Sequence, residues 1–200
     1  IDDEIRVAID ESNADLVIMG THGRRGFERW FLGSVTERLL RHCPVPVLTL
    51  SDVGASAPAP PDIEKILVTT DFSQGTTAAM DYALALAQEA PAELTLLHVV
   101  QQPAEREEPA EGVAKILEEH LASMVPDDVR NWCDVRAVVE IGTPYQRVLD
   151  IAEEKGVDLI VMNIHGKGLL ARAVMGSTAE RVLRGAKCPV LAVPAAFPAP

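Results

Sequence analysis

The feature that most constrains the fold of this chain is a segment that occurs twice. Residues 15–50 align with residues 158–193 without a gap, at a constant offset of 143 positions. The positions that are identical in both copies include Asp15, Leu16, Met19, His22, Gly23, Arg29, Gly33, Ser34, Glu37, Arg38, Leu40, Arg41, Pro46, Val47 and Leu48. Because repeated sequence indicates a repeated structural unit, both copies are predicted to contain the same strand, loop and helix.

In the second copy, an apolar run leads into a loop that contains glycines and then into a helix. Residues 157–162 (VDLIVM) predict a buried strand, and Ser177 followed by Glu180 predicts a capping box at the start of a helix. The start of a helix presents backbone N–H groups and the positive end of the helix dipole, so it favours a bound anion. A tight turn with an ordinary helix cap and no ligand remains the alternative.

Composition and charge exclude several classes of protein. The chain has 200 residues, 48% of them hydrophobic and 24% charged, which is typical of a globular chain with one full domain and part of another. The net charge of −12 argues against a nucleic acid or an anionic membrane as partner. No apolar run reaches the length of about 18 residues that a membrane span needs. The three cysteines show no metal-site spacing, which indicates a reduced, cytoplasmic setting.

Strand and helix patterns alternate along the chain, and this alternation predicts an α/β fold with an open, doubly wound parallel sheet. A segment rich in Pro, Ala and Ser, residues 51–62, is predicted to be a linker. The predicted strands are residues 15–19, 45–50, 66–70, 94–100, 135–141, 157–162 and 190–193. The predicted helices are residues 1–14, 35–41, 73–90, 113–125, 144–155, with Thr143 as N-cap and Gly156 as C-cap, and the helix after Gly176.

The glycine spacing of both copies resembles the nucleotide-binding signature of the universal stress protein family. The first copy reads Gly20-x2-Gly23-x9-Gly33-Ser34, and the second has the same spacing with Asn163 at the first glycine position. The resemblance covers nearly the whole chain and implies a tandem protein cut short at its start. Residues 1–50 would be the carboxyl half of a first domain and residues 63–195 a complete second domain, with strand order 3-2-1-4-5.

The resemblance also implies an adenine-nucleotide site. In the family, the glycine loop and a Ser/Thr seat the ribose and phosphates of ATP or AMP, and an Asp after the first strand holds the nucleoside. Asp71 matches that position, although the sequence alone favours a turn or helix-cap aspartate there. The implied nucleotide-binding residues are Thr69, Asp71, Val99, Met162, Asn163, Gly166, Gly176, Ser177 and Thr178. A second, partial site would comprise Met19, Gly20, Gly23, Gly33, Ser34 and Val35 without an equivalent aspartate.

Two functions from different classes fit these observations. The first is an adenine-nucleotide-binding regulatory protein of the stress response that takes ATP or AMP, with or without Mg²⁺. The second is a dimerisation or interaction module of the same fold that binds no nucleotide. Asn163 supports the second, because its side chain stands where the family has glycine, although asparagine tolerates a left-handed turn.

The chain shows no sequence pattern for catalysis by a side-chain nucleophile. It has no Ser-His-Asp order, HExxH, paired carboxylates or GxxxxGK[ST], so we expect slow ATP hydrolysis at most. His22 and His165 recur together, but neither has a carboxylate or cysteine at the spacing of a metal site.

The strand of residues 15–19 is predicted to lie at an edge of the sheet. Paired domains of the family meet through their fifth strands, which implies that residues 45–50 lie beside residues 190–193. The run Leu16-Val17-Ile18-Met19 is too apolar to face water at such an edge. We therefore expect a homodimer or larger assembly that buries it.

Overall fold

The structure is a computed structural model, and it describes residues 2–20, 32–50, 62–89, 92–101, 111–165 and 175–194. Its strands are β1 Val17–Gly20, β2 Val47–Leu50, β3 Lys65–Thr70, β4 Glu93–Val100, β5 Val135–Ile141, β6 Leu159–Asn163 and β7 Val190–Val193. Its helices are α1 Asp2–Ser12, α2 Ser34–His42, α3 Gln74–Glu89, α4 Glu111–Ser123, α5 Pro144–Lys155 and α6 Ser177–Gly185, with a short 3-10 helix at Asp127–Asn131.

The strands form one seven-stranded sheet in the order β1-β2-β7-β6-β3-β4-β5. The five strands from β7 to β5 are parallel neighbours, which confirms the predicted order 3-2-1-4-5 and the α/β fold class. Helices on both faces explain the apolar runs, since Ile66, Leu67 and Val68 are all buried although they point alternately to the two faces. The sheet as a whole is mixed, because β2 runs antiparallel to β7.

The two copies of the repeat meet at β2 and β7. Leu48 lies opposite Leu191, its equivalent in the repeat. A local two-fold axis at this pair therefore relates β2 to β7. The Thr49 hydroxyl adds a buried hydrogen bond of 3.1 Å to the carbonyl oxygen of Val190. The predicted neighbourhood of residues 45–50 and 190–193 is confirmed.

Each face of the sheet has its own apolar core. Ile9 of α1, Leu39 of α2 and Leu183 of α6 pack together on one face. Ala83 of α3 and Leu121 of α4 pack on the other. No helix in the described part of the chain is long and apolar enough to cross a membrane.

β1 is paired on one side only among the described residues, as expected for an edge strand. Val17 and Met19 pack against the core. The other face of this edge is open, and Leu16, Ile18 and Leu50 are 40%, 59% and 41% exposed. This apolar edge surface, consisting of Leu16, Ile18 and Leu50, is the largest departure from the buried pattern of the other strands.

Gly156 ends α5 in the left-handed conformation, with φ +61°, and a substitution tests whether this conformation requires glycine. Gly156→Ala should lower the free energy of unfolding by about 1 kcal/mol, the cost of placing an L side chain in that region. Gly112→Ala is the matched control, since a Cβ there meets nothing within 4 Å and the position is helical. Alanine has a higher helix propensity than glycine, so Gly112→Ala should leave the free energy of unfolding unchanged or raise it. Urea denaturation measures the free energy of unfolding of both variants. Equal losses of stability would contradict the left-handed conformation assigned to Gly156.

Candidate functional site

A cleft of about 450 Å³ opens at the carboxyl ends of β3, β4 and β6. Since β3 lies between β4 and β6, the cleft is at the point where the strand order reverses, which is where open α/β sheets bind ligands. Its volume is within the range of roughly 300–1,000 Å³ found for small-molecule sites.

The structure brings most of the predicted nucleotide-binding residues to this one cleft. They come from four separate segments that meet at one edge of the sheet. Those that line it are Thr69, Asp71, Val99, Met162, Asn163, Gly176, Ser177 and Thr178. Gly166 lies outside the described residues. Their role as ligand contacts stays a prediction.

Asp71 follows the last residue of β3 and is held by the start of α3. Its Oδ1 accepts hydrogen bonds from the backbone N–H of Ser73 (2.9 Å) and from the hydroxyl of Thr76 (3.2 Å). A role for Asp71 in the turn is therefore compatible with a role as a ligand contact. The carboxylate organises the turn through Oδ1 and still lines the cleft.

The start of α6 forms the opposite wall of the cleft, and here the predicted capping box is wrong. Gly176, not Ser177, is the N-cap, because its extended backbone (φ −64°, ψ 140°) precedes the helix and its carbonyl accepts from the N–H of Glu180 at 3.0 Å. Ser177 is the first helical residue, and Glu180 forms an ion pair with Arg184. The first N–H groups of a helix have no acceptor within it, so this end is suited to an anion.

Asn163 does not adopt the left-handed backbone that asparagine tolerates. It is the last residue of β6 and pairs with Val193 in extended backbone. Its Nδ2 donates to the carbonyl of His165 and its Oδ1 accepts from the N–H of His165, both at 3.1 Å. The side chain thus clamps the backbone at the beginning of the loop, and Asn163 also lines the cleft.

The two ends of that loop are joined at its base. The N–H of Gly176 donates to the carbonyl of Ile164 at 2.8 Å, and His165 forms an isolated antiparallel bridge with Met175. The two hydrogen bonds of the Asn163 side chain fix the same end of the loop, residues 163–165. The start of α6 is therefore fixed relative to β6 by backbone hydrogen bonds.

Two histidines, His98 and His165, line the cleft but are not among the predicted nucleotide-binding residues. Nδ1 of His98 lies 2.9 Å from the carbonyl oxygen of Thr70, and since a carbonyl only accepts, Nδ1 carries the proton. Burial lowers the pKa of His165, which favours its neutral form. The signal for His98 was its position, one residue before Val99 at the end of the neighbouring strand. Other lining residues that were missed are Thr70, Thr76, Leu97, Val100, Gln101, Pro144, Val148 and Ala179.

The charge of the cleft is low. Among the described residues that line it, Asp71 is the only carboxylate, and none is a lysine or arginine. The described part of the chain contains no group of three or more His, Cys, Asp or Glu side chains that could hold a metal ion. Donors that the described residues offer to an anion therefore include the backbone N–H groups and hydroxyls at the start of α6.

The described residues of the predicted second, partial site lie at the opposite edge of the sheet. Gly20 ends β1, and Gly33 is the N-cap of α2 with Ser34 as the first helical residue, as in the second copy. Met19 lies within β1 and Val35 within α2, whereas Gly23 lies outside the described residues. Because β1 and β2 run opposite to the other five strands, their carboxyl ends point away from the cleft. The two glycine segments do not share one site.

The chain is similar to universal stress proteins in three comparisons. The model of the universal stress protein family matches residues 1–51 and 62–194. A universal stress protein of Methanocaldococcus jannaschii is 35% identical over 139 residues, which cover 65% of this chain and 81% of that protein. One of Mycobacterium tuberculosis is 26% identical over 186 residues, which cover 90% of this chain but 62% of that protein.

Solved structures give the same result. The crystal structure of a universal stress protein from Archaeoglobus fulgidus has a TM-score of 0.68 and 27% identity, and the match covers 96% of this chain and 64% of that one. A universal stress protein solved in complex with cAMP has a TM-score of 0.52 and 20% identity, with coverage of 66% and 98%. At that identity the second likeness shows the fold alone. The chain thus spans about two thirds of the longer relatives.

A substitution tests the clamp at the base of the loop. Asn163→Ala removes both hydrogen bonds to His165, so the free energy of unfolding should fall by about 1–2 kcal/mol. Asn131→Ala is the control, because Asn131 is exposed at the end of the 3-10 helix and its loss should change stability by less than about 0.5 kcal/mol. Thermal and urea unfolding measure the difference. An Asn163→Ala protein as stable as the control would show that the clamp contributes nothing.

Proposed function

Because the chain belongs to the universal stress protein family, we propose that it is an adenine-nucleotide-binding regulatory protein of the stress response. The ligand is ATP or AMP, held in the cleft at the carboxyl ends of β3, β4 and β6. The observation that carries the proposal is the position of two complementary groups in one cleft. The Asp71 carboxylate, an acceptor for the nucleoside, lines it together with the N-terminus of α6, a donor for phosphate oxygens.

The inner wall of the cleft suits an aromatic base. Leu97, Val99, Val148 and Met162 contribute apolar surface to it. The remaining lining includes residues with hydroxyl groups, which fit a ribose and phosphates; they are Thr69, Thr70, Thr76, Ser177 and Thr178. An apolar wall with a few convergent polar groups is the usual form of a small-molecule site.

We expect slow hydrolysis of ATP at most. Phosphoryl transfer needs charge neutralisation at the phosphates and a group that orients the attacking water. Among the described lining residues, Asp71 is the only carboxylate, and its Oδ1 is already engaged by Ser73 and Thr76. Mg²⁺ would enter with ATP and be held mainly by its phosphates.

We also propose a cytoplasmic location. Cys43, Cys133 and Cys188 are all free thiols, which fits a reducing compartment. Burial raises the pKa of Cys188 to about 11, so its thiol stays protonated at neutral pH. With a net charge of −12, the protein is not expected to bind nucleic acid or an anionic membrane.

Calorimetric titration tests nucleotide binding directly. ATP with Mg²⁺, or AMP, should give a saturable heat at submillimolar concentration. Asp71→Ala should weaken binding, because it removes the carboxylate from the cleft. No heat from folded wild-type protein would exclude the proposal.

The repeat supplies an internal control for α6. Ser177→Ala should change stability by less than about 0.5 kcal/mol, since Ser177 is not the N-cap. It should nevertheless reduce nucleotide affinity, because the hydroxyl lines the cleft. Ser34→Ala makes the same change at the equivalent position of α2, at the opposite edge of the sheet, and should leave affinity unchanged. Equal affinities of the two variants would remove Ser177 from the site.

The apolar edge surface favours a second candidate function, a self-associating interaction module of the same fold that needs no nucleotide. Ile18 is 59% exposed on a strand that has one unpaired side among the described residues. An exposed, apolar edge strand is a template for pairing with another chain. We propose a homodimer or larger assembly that buries Leu16 to Met19, with or without nucleotide in the cleft.

We further propose that residues 1–50 are the carboxyl half of one domain, residues 51–62 a linker and residues 63–195 a complete second domain. The repeat and the local two-fold axis between β2 and β7 support this division. The two separate stretches matched by the family model support it as well.

Sedimentation at micromolar concentration tests the assembly. The wild-type protein should sediment as a dimer or larger species, and Ile18→Lys should dissociate it by placing a charge in the interface. Ile116→Lys is the matched control, because Ile116 on α4 is also exposed but lies away from β1. A monodisperse wild-type monomer would refute self-association through this edge.

A further inference from the structure

The turn between β3 and α3 contains a residue in an unfavourable backbone conformation. Phe72 has φ +60°, in the left-handed region that bulky side chains rarely adopt. Such a residue is strained and persists only where its surroundings determine its conformation. It immediately follows Asp71, the carboxylate of the cleft.

Three contacts hold Phe72 in place. Its backbone N–H donates to the hydroxyl of Thr70 at 2.9 Å. Its ring lies 4.3 Å from the ring of His98 and 5.0 Å from that of His120, in tilted arrangements that are favourable for aromatic pairs. These contacts connect the turn to β4 and to α4.

The left-handed residue lies between Asp71 and the groups that donate hydrogen bonds to its carboxylate. On one side, Asp71 continues from β3; on the other, the chain reverses at Phe72 so that the N–H of Ser73 returns to Asp71 Oδ1 at 2.9 Å. The hydroxyl of Thr76 reaches the same oxygen at 3.2 Å. If Phe72 relaxed to a right-handed or extended conformation, Ser73 and Thr76 would move away from this oxygen.

We propose that Phe72, held by His98 and His120, is a positioning residue that fixes the Asp71 carboxylate for the nucleoside. The inference rests on the proposed nucleotide binding and assigns a role in it to a side chain outside the cleft lining. The aromatic contacts offset the backbone strain at Phe72, and the strained turn holds Asp71 in advance of binding. Preorganisation of this kind raises affinity because the ligand does not bear the cost of ordering the group.

Two substitutions at Phe72 separate positioning from packing. Phe72→Leu keeps apolar bulk and an unfavourable left-handed backbone but loses the ring contacts, so affinity for AMP should fall about tenfold, equal to about 1.4 kcal/mol. Phe72→Gly loses all of the side chain but accepts a positive φ without strain, so it should recover part of that affinity. A packing role predicts the reverse order, since glycine removes more buried apolar surface than leucine.

Hydrogen exchange of the Ser73 amide provides a readout that needs no nucleotide. The amide should exchange faster in Phe72→Leu than in wild-type protein, because its hydrogen bond to Asp71 is loosened. Leu86→Ala is the control, since Leu86 packs partly buried against the same core but lies in α3 away from the turn. It should lower stability while leaving AMP affinity and Ser73 exchange unchanged.

The outcomes distinguish this inference from the proposed function. If wild-type protein binds AMP and both Phe72 variants bind equally well, the positioning role is wrong and nucleotide binding stands. Weaker AMP binding by Phe72→Gly than by Phe72→Leu also overturns the role. So does weaker AMP binding by Phe72→Leu without faster exchange of the Ser73 amide. If folded wild-type protein binds no nucleotide, the proposed function fails and the inference fails with it.

Discussion

The backbone ladder of β3 is the interaction on which the rest of this structure depends. β3 pairs with β4 on one side and β6 on the other, and its apolar side chains are buried between helices on both faces. Its first residues are also fixed, since Asp158 Oδ2 accepts from the N–H groups of Glu64 (3.0 Å) and Lys65 (2.9 Å). The chain leaves the carboxyl end of β3 toward one face of the sheet and that of β6 toward the other. A cleft therefore opens between the carboxyl ends of these two paired strands.

The periodic parts of the fold were predictable from the sequence, and the local backbone of the site was not. The strands were predicted because they are apolar runs, and Pro144 and Gly156 marked the ends of α5. The pattern Ser177-x-x-Glu180 predicted the wrong N-cap, because glycine is also accepted at an N-cap and Gly176 takes that position here. The backbone of Asn163 depends on its pairing with Val193, which is distant in sequence. Nothing in the letter sequence reveals a left-handed phenylalanine.

The proposed site poses an electrostatic problem that the fold addresses with dipoles. A chain of net charge −12 repels an anionic ligand at long range, and no lysine or arginine is present among the described cleft residues. Among the described residues, the attraction comes from groups that act at short range. The N-terminus of α6 is such a group, since its N–H groups and partial charge act within the first turn of the helix. A site of this kind favours close, well-aligned phosphate oxygens over mere negative charge.

The open edge at β1 and the predicted partial second site share one structural feature, because no described strand pairs with the outer side of β1. Val161 of β6 is fully buried between β3 and β7, whereas Ile18, its equivalent in the repeat, is 59% exposed with β2 on one side only among the described residues. A strand that paired parallel to β1, as β3 pairs with β6, would bury Ile18 and carry its own carboxyl end to the segment around Gly20. An antiparallel copy of β1 would also bury Ile18, but it would bring its amino end there and supply no equivalent of Asp71. The direction of the strand that covers this edge therefore determines whether the second glycine segment belongs to a complete site.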